Sequence, residues 1–169
     1  MGAAPDRSET YAQILADQVV SSSPDVDFAT DIFRRAQREL TLEPEWKVYY
    51  SLSVQLIAGR VHRPVEDDVR VMLEQLSANE DWWGMLARFG TGALQYQELL
   101  GSANEVGEQT EAHFYEGARR YVQGDVAGAR ELFERVLATH MVSFFEFTMA
   151  QELLAQTPAT PAPPPALVP

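Results

Sequence analysis

Residues 113–137 read HFYEGARRYVQGDVAGARELFERVL and contain two helical patterns separated by Gly124 and Asp125. In the second half, apolar residues recur at intervals of three and four, at Val126, Ala129, Leu132, Phe133, Val136 and Leu137. That spacing places them on one face of a helix. Glycine commonly ends a helix, and aspartate commonly caps the next one. The stretch therefore predicts two helices, 108–123 and 125–139, with the chain turning back between them.

The same pattern recurs upstream at an almost constant interval. Gly59, Gly92 and Gly124 are spaced by 33 and 32 residues. Aromatic residues stand ten and nine positions before each glycine, and a large apolar residue stands three before it: Tyr49, Tyr50 and Leu56; Trp82, Trp83 and Phe89; Phe114, Tyr115 and Tyr121. The recurrence predicts three related helices, each ended by a glycine in the left-handed conformation.

The rest of the chain also has helical character. Pro24, Pro44 and Pro64 are each expected in the first turn of a helix, where the missing N–H costs nothing. Strand-like alternation is nearly absent. The predicted helices are 8–21, 25–40, 45–58, 64–77, 81–91, 93–101, 108–123, 125–139 and 142–155.

One face of each repeated helix is expected to form the core. Positions ten, seven, six and three before the glycines differ by steps of three or four, so they share a stripe. These positions hold Tyr49, Leu52, Ser53 and Leu56; Trp82, Met85, Leu86 and Phe89; Phe114, Gly117, Ala118 and Tyr121. The small residues in the middle of the stripe indicate close approach of a neighbouring helix.

This arrangement resembles the tetratricopeptide repeat (TPR), whose period is about 34 residues. Phe114, Gly117, Ala118 and Tyr121 resemble its helix A, while Ala129, Phe133 and Val136 resemble its helix B. Residues 81–92 resemble a truncated repeat, and Ala29, Phe33 and Ala36 an earlier half-repeat. The insertion RVHRP after Gly59 and the missing end-of-repeat proline depart from the family pattern. The resemblance implies an all-α fold, a short α-α superhelix of about three irregular repeats with capping helices.

Composition suggests the domain limits and excludes several classes of protein. Residues 1–9 are expected to be a flexible N-terminus, 10–155 the repeat domain, and 156–169 a disordered tail rich in Pro and Ala. The net charge of −12 disfavours nucleic acid, and the absence of cysteine excludes disulfides and thiolate metal sites. No apolar run is long enough for a membrane span. The N-terminus lacks a signal-peptide pattern, which predicts a cytoplasmic location, or a periplasmic one if a signal peptide was removed.

No catalytic motif, cofactor motif or metal-ligand spacing was found. The histidines His62, His113 and His140 are scattered and form no metal-binding pair. The sequence therefore predicts that the protein is not an enzyme and that it holds no cofactor and no metal.

The TPR resemblance implies that a partner binds in the groove of the A helices, at positions nine, five and two before each glycine. The candidate partner-binding residues are Tyr50, Val54, Trp83, Tyr115, Arg119 and Val122. The expected partner is a peptide or helix of another protein, and the acidic charge favours a basic one. The protein would then act as an adaptor, scaffold or assembly chaperone.

Two alternatives remain open at this stage. Neighbouring helices or the C-terminal helix could cover the groove aromatics as core. The aromatic stripe could also be the interface of a structural homodimer. Groove residues of the Lys/Asn type, which clamp acidic chaperone termini in one TPR subclass, are not present.

Overall fold

The computed structural model describes residues 7–158, and all regular secondary structure within them is helical. The all-α prediction is therefore confirmed for this part of the chain. Nine helices follow one another: α1 (Arg7–Val20), α2 (Val26–Glu39), α3 (Pro44–Arg60), α4 (Asp67–Leu76), α5 (Trp82–Gly90), α6 (Tyr96–Ser102), α7 (Val106–Val122), α8 (Val126–Ala138) and α9 (Phe145–Gln156). Each corresponds to one of the predicted helices, with ends that differ by up to three residues. None of the nine combines the length and apolar character needed to cross a bilayer.

Aspartate caps define where three of the helices begin. The side chains of Asp25, Asp81 and Asp125 each accept a hydrogen bond from the backbone N–H three residues later, at 2.9–3.0 Å. Such a bond satisfies one of the free N–H groups at a helix start. Of the three prolines predicted to lie in a first turn, only Pro44 does. Pro24 and Pro64 precede α2 and α4 and lie outside them.

The three periodic glycines have two different roles. Gly92 and Gly124 follow α5 and α7 with φ of 81° and 85°, the predicted left-handed conformation. Gly59 was wrongly predicted to end its helix, because α3 continues past it. A Cβ at Gly59 would lie 2.7 Å from Cγ1 of Val122, so this glycine allows α3 and α7 to approach closely. The left-handed conformation after α3 is adopted by His62, with φ of 54°.

The stretch at 113–137 folds as the predicted pair, with α7 and α8 forming the most extensive helix–helix interface of the described chain. The Phe114 and Phe133 rings lie 6.1 Å apart between them. A Cβ at Gly117 would lie 2.9 Å from the Phe133 ring. The small residue in the middle of the α7 stripe therefore has the predicted function of admitting a neighbouring helix.

The last helix packs against the first. Helices α1, α3, α7 and α9 each contact the next, and α9 contacts α1 in turn. The Gln156 amide donates a 2.6 Å hydrogen bond to the Val20 carbonyl. The packing of α9 on α1 closes the four helices into a ring around a shared core. The superhelical arrangement of TPR-like repeats stays a prediction.

The packed region extends beyond both predicted domain limits. Ser8, assigned to the flexible N-terminus, is a buried residue of α1. At the other end, α9 reaches Gln156, and Thr157 is buried. The Arg130 guanidinium donates a 2.7 Å hydrogen bond to the Thr157 carbonyl and so links α8 to the end of α9. Residues 1–6 and 159–169, which include most of both predicted flexible segments, lie outside the described residues.

Candidate functional site

Helices α3, α5 and α7 run in the same direction and enclose a cleft at each end. Their C-terminal parts line a cleft of about 310 Å³, called here the apolar cleft. Its lining includes Leu52, Leu56, Arg63, Phe89, Arg119 and Val122. Their N-terminal parts, with α1 and α9, line a second cleft of about 260 Å³, called here the acidic cleft.

The arginines at the apolar cleft are held by acidic partners. The Arg119 guanidinium lies 5.5 Å from the centre of the Phe89 ring and forms a 2.7 Å ion pair with Glu116. Arg63 pairs with Asp27 at 3.0 Å. These contacts fix the two cations at the edge of an apolar surface, leaving part of each guanidinium exposed.

Three of the six predicted partner-binding residues are buried in the core. Tyr50 is 0% exposed and donates a 2.7 Å hydrogen bond to the Ser8 carbonyl of α1. Tyr115 is 3% exposed and donates a 2.9 Å bond to Glu146 of α9. Val54 is also fully buried. The expectation of an open groove is therefore corrected at these positions, because α1 and α9 cover the tyrosines.

The remaining three residues lie at opposite ends of the helices. Arg119 and Val122 line the apolar cleft and are partly exposed. Trp83 is half-buried and lines the acidic cleft. The six residues thus do not form one surface, although Tyr115 also contributes to the wall of the apolar cleft.

Carboxylates and aromatic rings together line the acidic cleft. The carboxylates belong to Glu9, Glu45, Glu111 and Glu146. The rings belong to Trp46, Tyr49, Trp83, Phe144 and Phe145. Most of these residues stand in or next to the first turns of α1, α3, α5 and α9, so the cleft lies where several helices begin.

Two of the carboxyl groups are buried, and the described residues supply neither of them with a counter-ion. Glu111 is 8% exposed and Glu146 is 4% exposed. The Trp82 indole donates to Glu111 at 2.5 Å, and Tyr115 donates to Glu146, but neither carboxylate pairs with an Arg, Lys or His of the described residues. Burial raises the pKa of both, and the Glu146 charge raises that of Glu111 further.

The hydroxyl of Tyr49 is the only buried side-chain polar atom of residues 7–158 that lacks a hydrogen-bond partner. The Ser53 side chain, one turn further along α3, lowers the pKa of Tyr49, although no hydrogen bond joins the two hydroxyls. Burial raises the pKa of Tyr49 well above its ordinary value, and the charge of Glu146 adds to this effect. Because polar groups in protein interiors are nearly always paired, this hydroxyl marks an incompletely satisfied site.

Sequence reasoning missed Glu111 and Glu146, although a signal was available. Glu111 stands three and four residues before Phe114 and Tyr115, on the buried stripe of α7. Glu146 stands three residues before Met149 on the buried stripe of α9. A glutamate on an otherwise apolar stripe indicates a buried acid.

Within the described residues, no group of three or more His, Asp or Glu side chains is placed to hold a metal ion. His113 accepts or donates a 2.9 Å hydrogen bond with the Tyr96 hydroxyl.

No family model matches the chain, and no curated protein or solved structure matches it either.

Proposed function

We propose that this protein is an interaction module, an adaptor, scaffold or assembly chaperone that binds a peptide or helix of another protein without catalysis. The observation that carries the proposal is the apolar cleft. Three helices running in one direction present Leu56, Phe89 and Val122 around a concave surface. Concave apolar surfaces with a few placed polar groups are the usual form of binding sites.

The dimensions and edge of the cleft favour an anchoring side chain from a partner. A volume of about 310 Å³ is at the small end of ligand pockets, which suits one or two large apolar side chains. The guanidinium of Arg119 would lie beside the bound backbone, where its exposed part could donate to a carbonyl. The resemblance of α3, α5 and α7 to A helices of TPR repeats supports the same location.

Site-specific photo-crosslinking in an extract of the source cells tests this proposal. In one variant, a photoreactive phenylalanine derivative replaces Leu56 in the apolar cleft. In the matched control, the same derivative replaces Val71, an exposed apolar residue of α4 outside the cleft. We expect a discrete adduct with another polypeptide from position 56 only, weakened by Val122→Arg. Equal adducts from both positions would contradict the proposal.

The homodimer alternative has less support. Its interface would be the aromatic stripe, but Tyr49 and Phe114 are buried within the chain. The exposed large apolar residues of the described chain are spread over α2, α4, α7 and the loop before α9: Phe28, Val71, Val106 and Val142. Light scattering after size exclusion should give the mass of one chain, and a stable dimer mass would favour the alternative.

A further inference from the structure

We propose that the acidic cleft binds an organic ammonium group, with Glu146 and Glu111 as its counter-ions and Trp83, Trp46 and Tyr49 around its alkyl carbons. This site goes beyond the proposed function and uses the opposite end of the helices. The shared chemistry has two sources, a small free alkylammonium ion or the lysine side chain of a partner.

The first reason is uncompensated charge. Burying a carboxylate is costly unless a cation or several donors accompany it. First-turn positions at helix starts account for the presence of Glu9, Glu45 and Glu146, since the helix dipole favours acids there. They do not account for Glu111, which stands in the second turn of α7. A bound cation would neutralise the charge of Glu111, which pairs with no Arg, Lys or His of the described residues.

The second reason is the ring arrangement. The Tyr49 ring lies 6.4 Å from Trp46 and 5.4 Å from Phe145, centre to centre. Trp83 lines the cleft from α5. Ammonium groups bind against aromatic faces, and several rings around one cation form the aromatic cages that recognise alkylated amines.

The third reason is the Tyr49 hydroxyl, which is independent of the acidic cluster. It belongs to a residue that lines the cleft, is buried, and has no hydrogen-bond partner among the described residues. It also lies within electrostatic reach of Glu146. The unpaired hydroxyl and the buried carboxylates therefore belong to residues that line the same cleft.

Other cations fit less well. Divalent metal ions require several oxygen ligands around one point, and the described residues offer no such cluster. Rings cannot replace those ligands. An alkylammonium ion needs only one or two charged oxygens, and its methylene or methyl groups favour ring faces over water.

Binding should be linked to proton release. Because burial raises the pKa of both carboxyls, each keeps its proton to a higher pH than an exposed glutamate does. A cation favours the ionised form, so its affinity should increase as pH rises from 5 to 8. A neutral ligand of the same shape should show no such change.

The chain contains its own reporter for a binding experiment. All three tryptophans are at this cleft: Trp46 and Trp83 line it, and Trp82 donates to Glu111. Tryptophan fluorescence would be followed while tetramethylammonium, choline or N-acetyl-lysine methylamide is added at pH 5 and pH 8. The neutral isostere of choline, 3,3-dimethyl-1-butanol, is the control ligand.

Three variants make the result specific. Glu146→Gln keeps the shape and the acceptor for Tyr115 but removes the charge, while Trp83→Leu removes a ring from the cleft wall. Glu131→Gln, on the exposed face of α8, is the control. We expect saturable binding of at least one cation, weakened tenfold or more by Glu146→Gln and by Trp83→Leu and unchanged by Glu131→Gln.

The outcomes are distinguishable. Binding of choline or tetramethylammonium alone indicates a small-molecule ligand, and binding of the lysine derivative indicates a partner's side chain. Should Glu146→Gln fail to fold by circular dichroism, the half-buried Trp83→Leu and the pH dependence still test the site. Equal binding of the neutral isostere, or no response to any cation at millimolar concentration, would overturn the proposal.

Discussion

The apolar cleft and the acidic cleft share helices α3, α5 and α7, yet the buried glutamates of α7 beside them differ in whether an arginine pairs with them. Glu116 and Glu111 stand five residues apart on α7, at 2% and 8% exposure. Glu116, on the apolar-cleft side, accepts 2.8 Å hydrogen bonds from both Arg119 and Arg120. Glu111, at the acidic cleft, has no cationic partner among the described residues. A compensated acid stabilises a fold, whereas an uncompensated one indicates a site that needs a ligand or a proton.

The largest expected effect concerns the two adjacent buried aromatic residues of α7, Phe114 and Tyr115. Tyr115→Ala and Phe114→Ala should each lower the free energy of unfolding by about 3–5 kcal/mol, because both truncate fully packed aromatic side chains. Tyr115→Phe, which removes only the hydrogen bond to Glu146, should cost about 1–2 kcal/mol. Urea denaturation measures all three.

Val71→Ala, at an exposed position of α4, is the matched control and should change little. A loss below about 1 kcal/mol for Tyr115→Ala would show that this ring faces an open groove, as the TPR resemblance implied.

The next effect compares the two glutamates of α7 directly. Glu116→Gln should destabilise the protein by about 1–3 kcal/mol, since it weakens charge-assisted hydrogen bonds to two arginines. Glu111→Gln keeps the acceptor for the Trp82 indole and removes a buried charge, so at pH 8 it should leave stability unchanged or raise it.

Denaturation of both variants at pH 8 checks the sign as well as the size. Similar losses from the two substitutions would mean that Glu111 has a counter-charge after all.

A smaller effect should appear in the pH dependence of stability. Carboxyls with raised pKa hold protons more tightly in the folded state, so their stabilising contribution is complete below about 4.5 and is lost as pH rises toward the folded values. Between pH 5 and 8, the variant with both Glu111→Gln and Glu146→Gln should therefore lose less stability, or gain more, than the parent.

His113, whose pKa is lowered by burial, is present in both proteins, so its contribution to the pH dependence cancels in the difference. The pH dependence of stability of Glu131→Gln should match that of the parent protein. Parallel pH profiles for the parent and the double variant would rule out the buried carboxyls as the source of the dependence.

The sequence was enough to predict the helices, but it did not predict how α1 and α9 pack on the others. Period and capping predicted all nine helices, because these depend on residues close in sequence, such as Asp125 and Gly124. The burial of Tyr50 and Tyr115 depends on α1 and α9, which pack on α3 and α7 from distant parts of the chain. Helical spacing shows which residues share a stripe, but it does not show which element covers the next stripe.

Gly59 and the acidic cleft illustrate the same limit. The spacing of Gly59 matched the two glycines that end helices, yet its use depends on Val122, 63 positions later. The partnership of Glu111 and Glu146 likewise joins α7 to α9, and no period in the sequence connects them. Only the glutamates' place on apolar stripes pointed to burial.

The most direct test of the central claim is a carboxyl titration by nuclear magnetic resonance on protein labelled with ¹³C at the glutamate side chains. Glu39 is the internal reference, because hydrogen bonds from Tyr11 and Arg35 lower its pKa to about 2. With Glu111→Gln and Glu146→Gln used for assignment, we expect Glu39 to titrate near that value and Glu111 and Glu146 to titrate above the ordinary 4.5. Ordinary titration of both buried glutamates would contradict the account, because it would show that their charges are already compensated.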